Sequence, residues 1–339
     1  MKRPTIRDLA EAAGLSVATV NRVLAGAANV RQPTRERVED AAVRIGFYGL
    51  GAIRSRVAAA RPKLRLGILL LQPHRAFYQS LAHHLREAAA RSTDAEIDLR
   101  IDFLEDLSPQ TTVDRARTLA RASDAIAVTS AVHPDVTRAL EEIRAAGTPV
   151  FAFITPLTAS GEVPYVGLDN WKVGRTCAWA IDRLCRPGGR VAVLMGNPRF
   201  RSQEANEAGF RSYFREHGAP VRLMEPQPTF ESAAVAQEIV EAALADPGLT
   251  GVYVAGGGVT GAIAAIRQHP RRGEVVLIGY QLMDATRAAL LDSTMTLVIA
   301  SPLERLCAAL IDGMVRAALG QGGPLGAILP FEIVTRENL

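Results

Sequence analysis

Three cysteines, Cys177, Cys185 and Cys307, are too few and too unevenly placed to frame a disulfide scaffold or a zinc site. The expectation is reduced thiols in a reducing compartment. Aromatic residues make up only 5% of the chain. No apolar run approaches the roughly 18–20 residues that a membrane span requires. The opening MKRPTIRDLAEAAG has cations but no apolar h-region, so no secretory leader is expected. Together these features point to a cytoplasmic protein without a membrane partner. Catalytic signatures are equally sparse. No Ser-His-Asp or Cys-His arrangement can be argued, and His83-His84 offers no metal set. Gly256-Gly257-Gly258 has neither GxGxxG spacing nor the Lys-Ser/Thr of phosphate chemistry. Asp98, Asp102, Glu105 and Asp106 read more readily as solvated strand and loop residues than as an acid–base pair. The expectation is a protein that is not an enzyme, with no cofactor and no metal.

What is present is unevenly distributed. A chain of 339 residues exceeds one ordinary domain. Residues 1–63 carry 12 Lys+Arg against 5 Asp+Glu, while the remainder carries 27 against 30. A basic head on a slightly acidic body suggests that the head alone meets a polyanion.

Within that head, Thr5–Leu24 reads TIRDLAEAAGLSVATVNRVL. Ile6, Leu9, Ala10 and Ala13 fall on one face of a helix. Gly14 stands where a chain often needs positive φ to leave a helix. Ser16 caps a second helix whose inward face is Val20, Val23 and Leu24. This spacing predicts a helix-turn-helix whose second helix can enter a DNA major groove. A third helix starts at Pro33-Thr34, repeats Val38, Ala41, Ala42 and Ile45, and stops at Gly46. The glycine-dotted, basic stretch that follows reads from composition as a linker.

TIRDLAEAAGLSVATVNRVLAG, then NVRQPTRERVEDAAVRIGF, then a basic hinge, resembles the head of the LacI/GalR family of bacterial repressors. The resemblance implies a homodimer on double-stranded operator DNA, with a hinge that folds in the minor groove. By position, Ser16, Thr19 and Asn29 would contact phosphates. Val17, Ala18 and Arg22 would face base edges, with Asn21 nearby, and Thr5, Arg31 and the hinge residues Arg54, Ser55, Arg56 and Val57 complete the expected set. Arg22 suits bidentate bonding to guanine, whereas Val17 and Ala18 offer only apolar contact. Val17 packing inward is the alternative. Arg31, Arg35 and Arg37 are expected to be solvated or phosphate-facing rather than base-reading. Two departures stand out: Asn21 replaces the family's usual Ser, and in the hinge Arg54-Ser55 is followed by Arg56 where the family has Leu. Either Val57 supplies a smaller wedge or Arg56 enters the groove as a charge.

From Leu64 onward, short apolar runs alternate with helical patterns, which argues for parallel sheets covered on both faces. The expected fold class is an all-α head plus an α/β body of two doubly wound parallel-sheet lobes. The body resembles the type I periplasmic-binding-protein fold. The expected domains are 1–48 for DNA binding, 49–63 for the hinge and 64–339 for effector binding. Lobe 1 would hold about 64–160 and 295–321, and lobe 2 about 163–292 and 325–339. The resemblance implies crossovers near 155–166, 291–297 and 320–326.

A ligand is expected in the cleft at the strand C-termini. Phe77 and Tyr78 are candidates to stack on a ligand ring, with a core phenylalanine beside a surface tyrosine as the alternative. Ser130, Asp169, Asn197, Arg201, Asn206, Gly257 and Gln281 complete the effector set, with Asp169 as the hydroxyl-accepting carboxylate. Asn206 stands where the family often has Arg. Glycine replaces the usual Asn or Asp after VYVA, and Gln281 replaces the usual Asp after LIGY. The expected function is a transcriptional regulator, a repressor, controlled by a small sugar-like or polyol effector. The competing reading is a solute-binding protein or a sugar-acting enzyme sharing the body fold.

Overall fold

A computed structural model of the chain describes residues 3–27, 30–51, 53, 61–218 and 220–339. Contacts divide it into two compact units, Met1–Leu64 with Ala90–Asp98, and Arg65–Ala89 with Leu99–Leu339.

The head packs α1 (Ile6–Ala13), α2 (Val17–Leu24) and α3 (Gln32–Arg44) around one small core. Helices this short are marginal alone, so their ends are closely managed. Thr5 and Asp8 form a reciprocal capping box at the start of α1. Gly14 leaves the helix in the left-handed region at φ 61°. Ser16 accepts the Thr19 amide to cap α2. Leu9, Val20, Val23 and Val38 are fully buried, each worth about 1.5–3 kcal/mol relative to exposure. Ile53 is also fully buried within this core. The head core therefore extends past residue 48, because Ile53 donates its amide to the Gly49 carbonyl in a short helical turn.

The body contains two sheets. The first runs β12-β5-β4-β3-β1-β2, built from β1 (Lys63–Leu71), β2 (Glu96–Leu104), β3 (Ala125–Val128), β4 (Val150–Phe153), β5 (Tyr165–Leu168) and β12 (Ala327–Leu329). It is flanked by α4 (Ala76–Ala90), α5 (Pro109–Arg121), α6 (Pro134–Ala145) and α12 (Leu303–Ala318). The second runs β13-β11-β10-β9-β6-β7, with β8 also on β6. Its strands are β6 (Arg190–Met195), β7 (Arg222–Leu223), β8 (Gln227–Pro228), β9 (Leu249–Val254), β10 (Val276–Tyr280), β11 (Leu297–Ala300) and β13 (Glu332–Val334). One core lies between this sheet and α7 (Asn170–Leu184) and α8 (Arg201–His217), where Phe210 stacks on Tyr253 at 4.4 Å. The other lies under α9 (Ala233–Leu244), α10 (Val259–Gln268) and α11 (Asp284–Leu291). Gly174 and Gly209 let α7 and α8 approach, since a Cβ on either would strike the backbone of the facing helix.

The crossings between sheets fall later than the resemblance implies. β5 pairs with β4, so 163–168 belongs to the first sheet. β11 pairs with β10 in the second sheet, and β12 returns to β5 in the first. The chain thus crosses after β5 at Asp169, after β11 at Ser301-Pro302, and between β12 and β13 at Pro330-Phe331. A parallel strand reads as the same apolar run in either sheet, so the pattern locates strands without assigning partners.

Candidate DNA-reading helix and effector cleft

On α2, Ser16, Val17, Ala18, Asn21 and Arg22 are exposed, while Val20 and Val23 face the core. Val17 is 40% exposed, which settles its direction as outward. Ser16 and Thr19 hydroxyls lie 2.9 Å apart, and Arg22 Nη2 donates to Thr19 Oγ1 at 3.3 Å. Ser16, Thr19 and Arg22 therefore form one chain of polar groups along the outer face. Thr5 is exposed but engaged with Asp8, and Arg31 is exposed at the start of α3. Asn29, Arg54, Ser55, Arg56 and Val57 lie outside the described residues.

One α3 arginine differs from expectation. Arg35 is buried, and its Nε donates to the Val30 carbonyl at 3.0 Å while Nη2 donates to Ala27 at 2.5 Å. Arg37 Nη2 donates to the Ala13 carbonyl at 2.9 Å, and Arg44 Nη2 to Ala12 at 2.6 Å. These cations satisfy the orphan carbonyls at the C-terminus of α1 and complement its dipole. They tie α3 to the end of α1.

In the body, the C-terminal ends of both sheets converge on a cleft of about 860 Å³, open solvent included. Loops from the two sheets bond to one another beside it. Ser202 donates its amide to Thr155 Oγ1 at 3.2 Å, and Val132 donates to the Arg199 carbonyl at 2.9 Å. Arg75, after β1, pairs with Glu231, after β8, at 2.5 Å. The Glu231 side chain is only 5% exposed, and its second oxygen accepts from Gln203 Nε2 at 2.7 Å. Removing one partner from such a buried pair costs about 3–5 kcal/mol.

Of the expected effector residues, Phe77, Tyr78, Asn206, Gly257 and Gln281 line this cleft. Phe77 and Tyr78 meet edge to face at 5.1 Å. Burial and the Glu231 charge push the Tyr78 phenol well up, so it stays a neutral donor. Gln281 exchanges hydrogen bonds with the amide and hydroxyl of Ser301. Asn206 Nδ2 donates to the Ala255 carbonyl at 3.1 Å, which orients the amide. Its Oδ1 is buried without a hydrogen bond of standard geometry. The Tyr280 hydroxyl is likewise buried without a hydrogen bond of standard geometry, although Asn206 and Tyr253 lie close enough to influence its ionisation.

Ser130, Asp169, Asn197 and Arg201 are not brought to the lining. Ser130 is buried and donates to the adjoining Ala131 carbonyl. Asp169 caps α7 by accepting the Lys172 amide at 3.1 Å, and it also pairs with Lys172 Nζ. Its neighbour Asn170 faces the cleft instead, donating to Tyr165 Oη and the Leu168 carbonyl. Asn197 closes a local turn onto the Arg199 amide, and Arg201 is exposed at the start of α8.

Sequence reasoning did not single out Arg75, Gln203 or Glu231. Glu231 follows a strand of two residues, too short to register as a periodic run. One signal was available in the glycines. A Cβ on Gly196 or Gly257 would collide with the Glu231 carboxylate, and one on Gly256 with Gln203. The glycines after VYVA therefore make room for a carboxylate arriving from another loop. Among the described residues, five non-glycines have positive φ, and four flank the cleft: Gln72, Ile154, Phe230 and Glu231. Such strain persists where surrounding structure enforces it, often at ligand sites.

Comparison with known proteins separates the two parts. Residues 5–48 match the bacterial regulatory proteins of the lacI family, and residues 67–322 match the periplasmic binding protein domain. The chain belongs to the lacI family of bacterial regulatory proteins. It is a DNA-binding transcriptional regulator. Catabolite control protein A of Priestia megaterium is 25% identical over 248 residues, 69% of each chain. The protein of that name from Streptococcus mutans is 25% identical over 295 residues, 80% of each chain. In fold, the regulator resembles an ABC transporter solute-binding protein from Agrobacterium vitis bound with α-D-tagatopyranose. The TM-score is 0.74 at 20% identity, over 81% of this chain and 95% of that one. The lacI-type head sets this regulator apart from solute-binding proteins sharing its body. No helix among the described residues is long and apolar enough to cross a membrane.

Proposed function

We propose that this regulator is a cytoplasmic repressor that binds operator DNA as a homodimer and is controlled by a monosaccharide or polyol held in the cleft. The observation that carries the ligand class is Asn206, a cleft residue whose buried Oδ1 has no hydrogen bond of standard geometry. An orphaned buried acceptor costs about 1–3 kcal/mol, and a ligand hydroxyl relieves it by donating. Phe77, Phe200 and Tyr280 on the same walls supply apolar faces for a sugar ring. Ligand occupancy would shift a two-state equilibrium of the lobes and so change operator affinity. In the heads, Arg22 reads a base by hydrogen bonding, Val17 and Ala18 make apolar contacts, and Ser16 and Thr19 engage phosphate.

The test is a thermal-shift screen of monosaccharides and polyols on the full chain. A ligand at a hundred times its Kd adds about 2.7 kcal/mol of stability, and the stabilising compound should also change operator affinity. If no such compound shifts either quantity, the effector reading fails. If the protein shows no preference for selected sequences over random duplex at moderate salt, the operator reading fails.

A further inference from the structure

We infer that Glu231 sets the charge class of the ligand: by neutralising Arg75 inside the cleft it makes the site selective for uncharged, hydroxyl-bearing molecules and closes it to anionic ones. The inference rests on the reading above for the location of the ligand.

Among the described residues, the guanidinium of Arg75 is the cation on the cleft lining. Unpaired, it would be a ready receptor for a phosphate or carboxylate, because a planar guanidinium binds such groups bidentately. Glu231 occupies that role from within the chain. Its Oε2 accepts from Arg75 Nη1 at 2.5 Å and its Oε1 from Gln203 Nε2 at 2.7 Å. The carboxylate sits in a recess that only the missing side chains of Gly196 and Gly257 allow. Its backbone is held at φ 62°, with Phe230 before it at 51°. Arg75 is itself steadied by Gln72 Oε1 at 3.1 Å. The pair is therefore a built part of the wall, reached from loops after both sheets.

An anionic ligand reaching Arg75 would have to displace Glu231, leaving a carboxylate enclosed beside a second negative charge. Like charges this close in a partly desolvated site are strongly disfavoured. One unspent acceptor points the same way. Asn206 Nδ2 is committed to the Ala255 carbonyl, so the free Oδ1 is an acceptor. An acceptor welcomes a hydroxyl and repels a phosphate oxygen.

The experiment uses the full chain and inorganic phosphate as probe, with chloride at matched ionic strength as reference. In the wild type, phosphate should raise the melting temperature no more than chloride does. Glu231→Gln and Glu231→Ala free Arg75, and each should bind phosphate at least about tenfold more tightly than the wild type, with a saturable thermal shift. Adding Arg75→Met to either variant should abolish the gain, which separates the cleft from any phosphate bound by the basic head. The inference is overturned if folded Glu231 variants gain nothing, or if the wild type already binds phosphate in a manner lost in Arg75→Met. The wild-type and Arg75→Met arms decide the matter even if the Glu231 variants do not fold. A failed sugar screen would refute the effector reading without touching this result.

Discussion

Arg35 Nε lies 3.0 Å from the Val30 carbonyl, and the arginine is buried within the head. It ties the loop after α2 to α3 from inside. Arg35→Ala should destabilise the head by about 1.5–3 kcal/mol or more, since hydrogen bonds from a charged group are lost and carbonyls orphaned. Calorimetry should show the head transition shifted and the body transition unchanged. The salt slope of DNA binding by folded protein should also stay the same. A slope reduced by about one would mark Arg35 as a phosphate contact instead.

Arg22 is exposed and braced by Thr19. Arg22→Ala should cost about 1–3 kcal/mol on the selected operator and relax the preference at one base-pair position. Competition assays across single-base operator variants measure this. An equal loss on selected and random DNA would reduce Arg22 to a backbone contact.

Asp169 and Asn206 should separate cleanly. Asp169→Ala removes a helix cap and should cost about 0.5–2 kcal/mol of stability, with effector response retained. Asn206→Leu removes the free acceptor on the cleft wall and should abolish the response while operator binding survives. Chemical denaturation and effector titration of the two variants provide the comparison, and a lost response in Asp169→Ala would return that carboxylate to the site.

The three thiols should be inert in the native state. Burial pushes Cys177 up to about 12, Cys185 to about 11 and Cys307 to about 12, from a usual 9.0. Iodoacetamide labelling at pH 8 should therefore follow unfolding rather than time in buffer. The linkage has a definite sign. A folded pKa above the unfolded one contributes stability that is present below pH 9 and declines as pH rises beyond it. Replacing all three by Ala should flatten that alkaline decline, as read by denaturation midpoints from pH 8 to 11.

The head was legible because helix spacing, caps and the Gly14 turn are local and repeat in the sequence. Arg35 was not, because a charged residue reads as surface until a carbonyl pair inside the core claims it. The body's strands were legible as apolar runs, but the partners of β5, β11 and β12 were not, since pairing between distant strands leaves no local mark. At the cleft, Asp169 and Asn170 are adjacent, and only the helix start decides which caps and which faces the ligand. Glu231 escaped because its recess is made by glycines far from it in sequence.

The closing strands β12 and β13 stand at the edge of the first and second sheets respectively, joined by Pro330-Phe331. During synthesis, then, neither sheet can be finished before the ribosome has delivered almost everything in this sequence. Until that moment β5 and β11 each present an unsatisfied flank able to template another chain. The interval between making β11 and making β13 is the time at which nascent copies are most open to mispairing with one another, and slow translation across residues 301–334 would lengthen it.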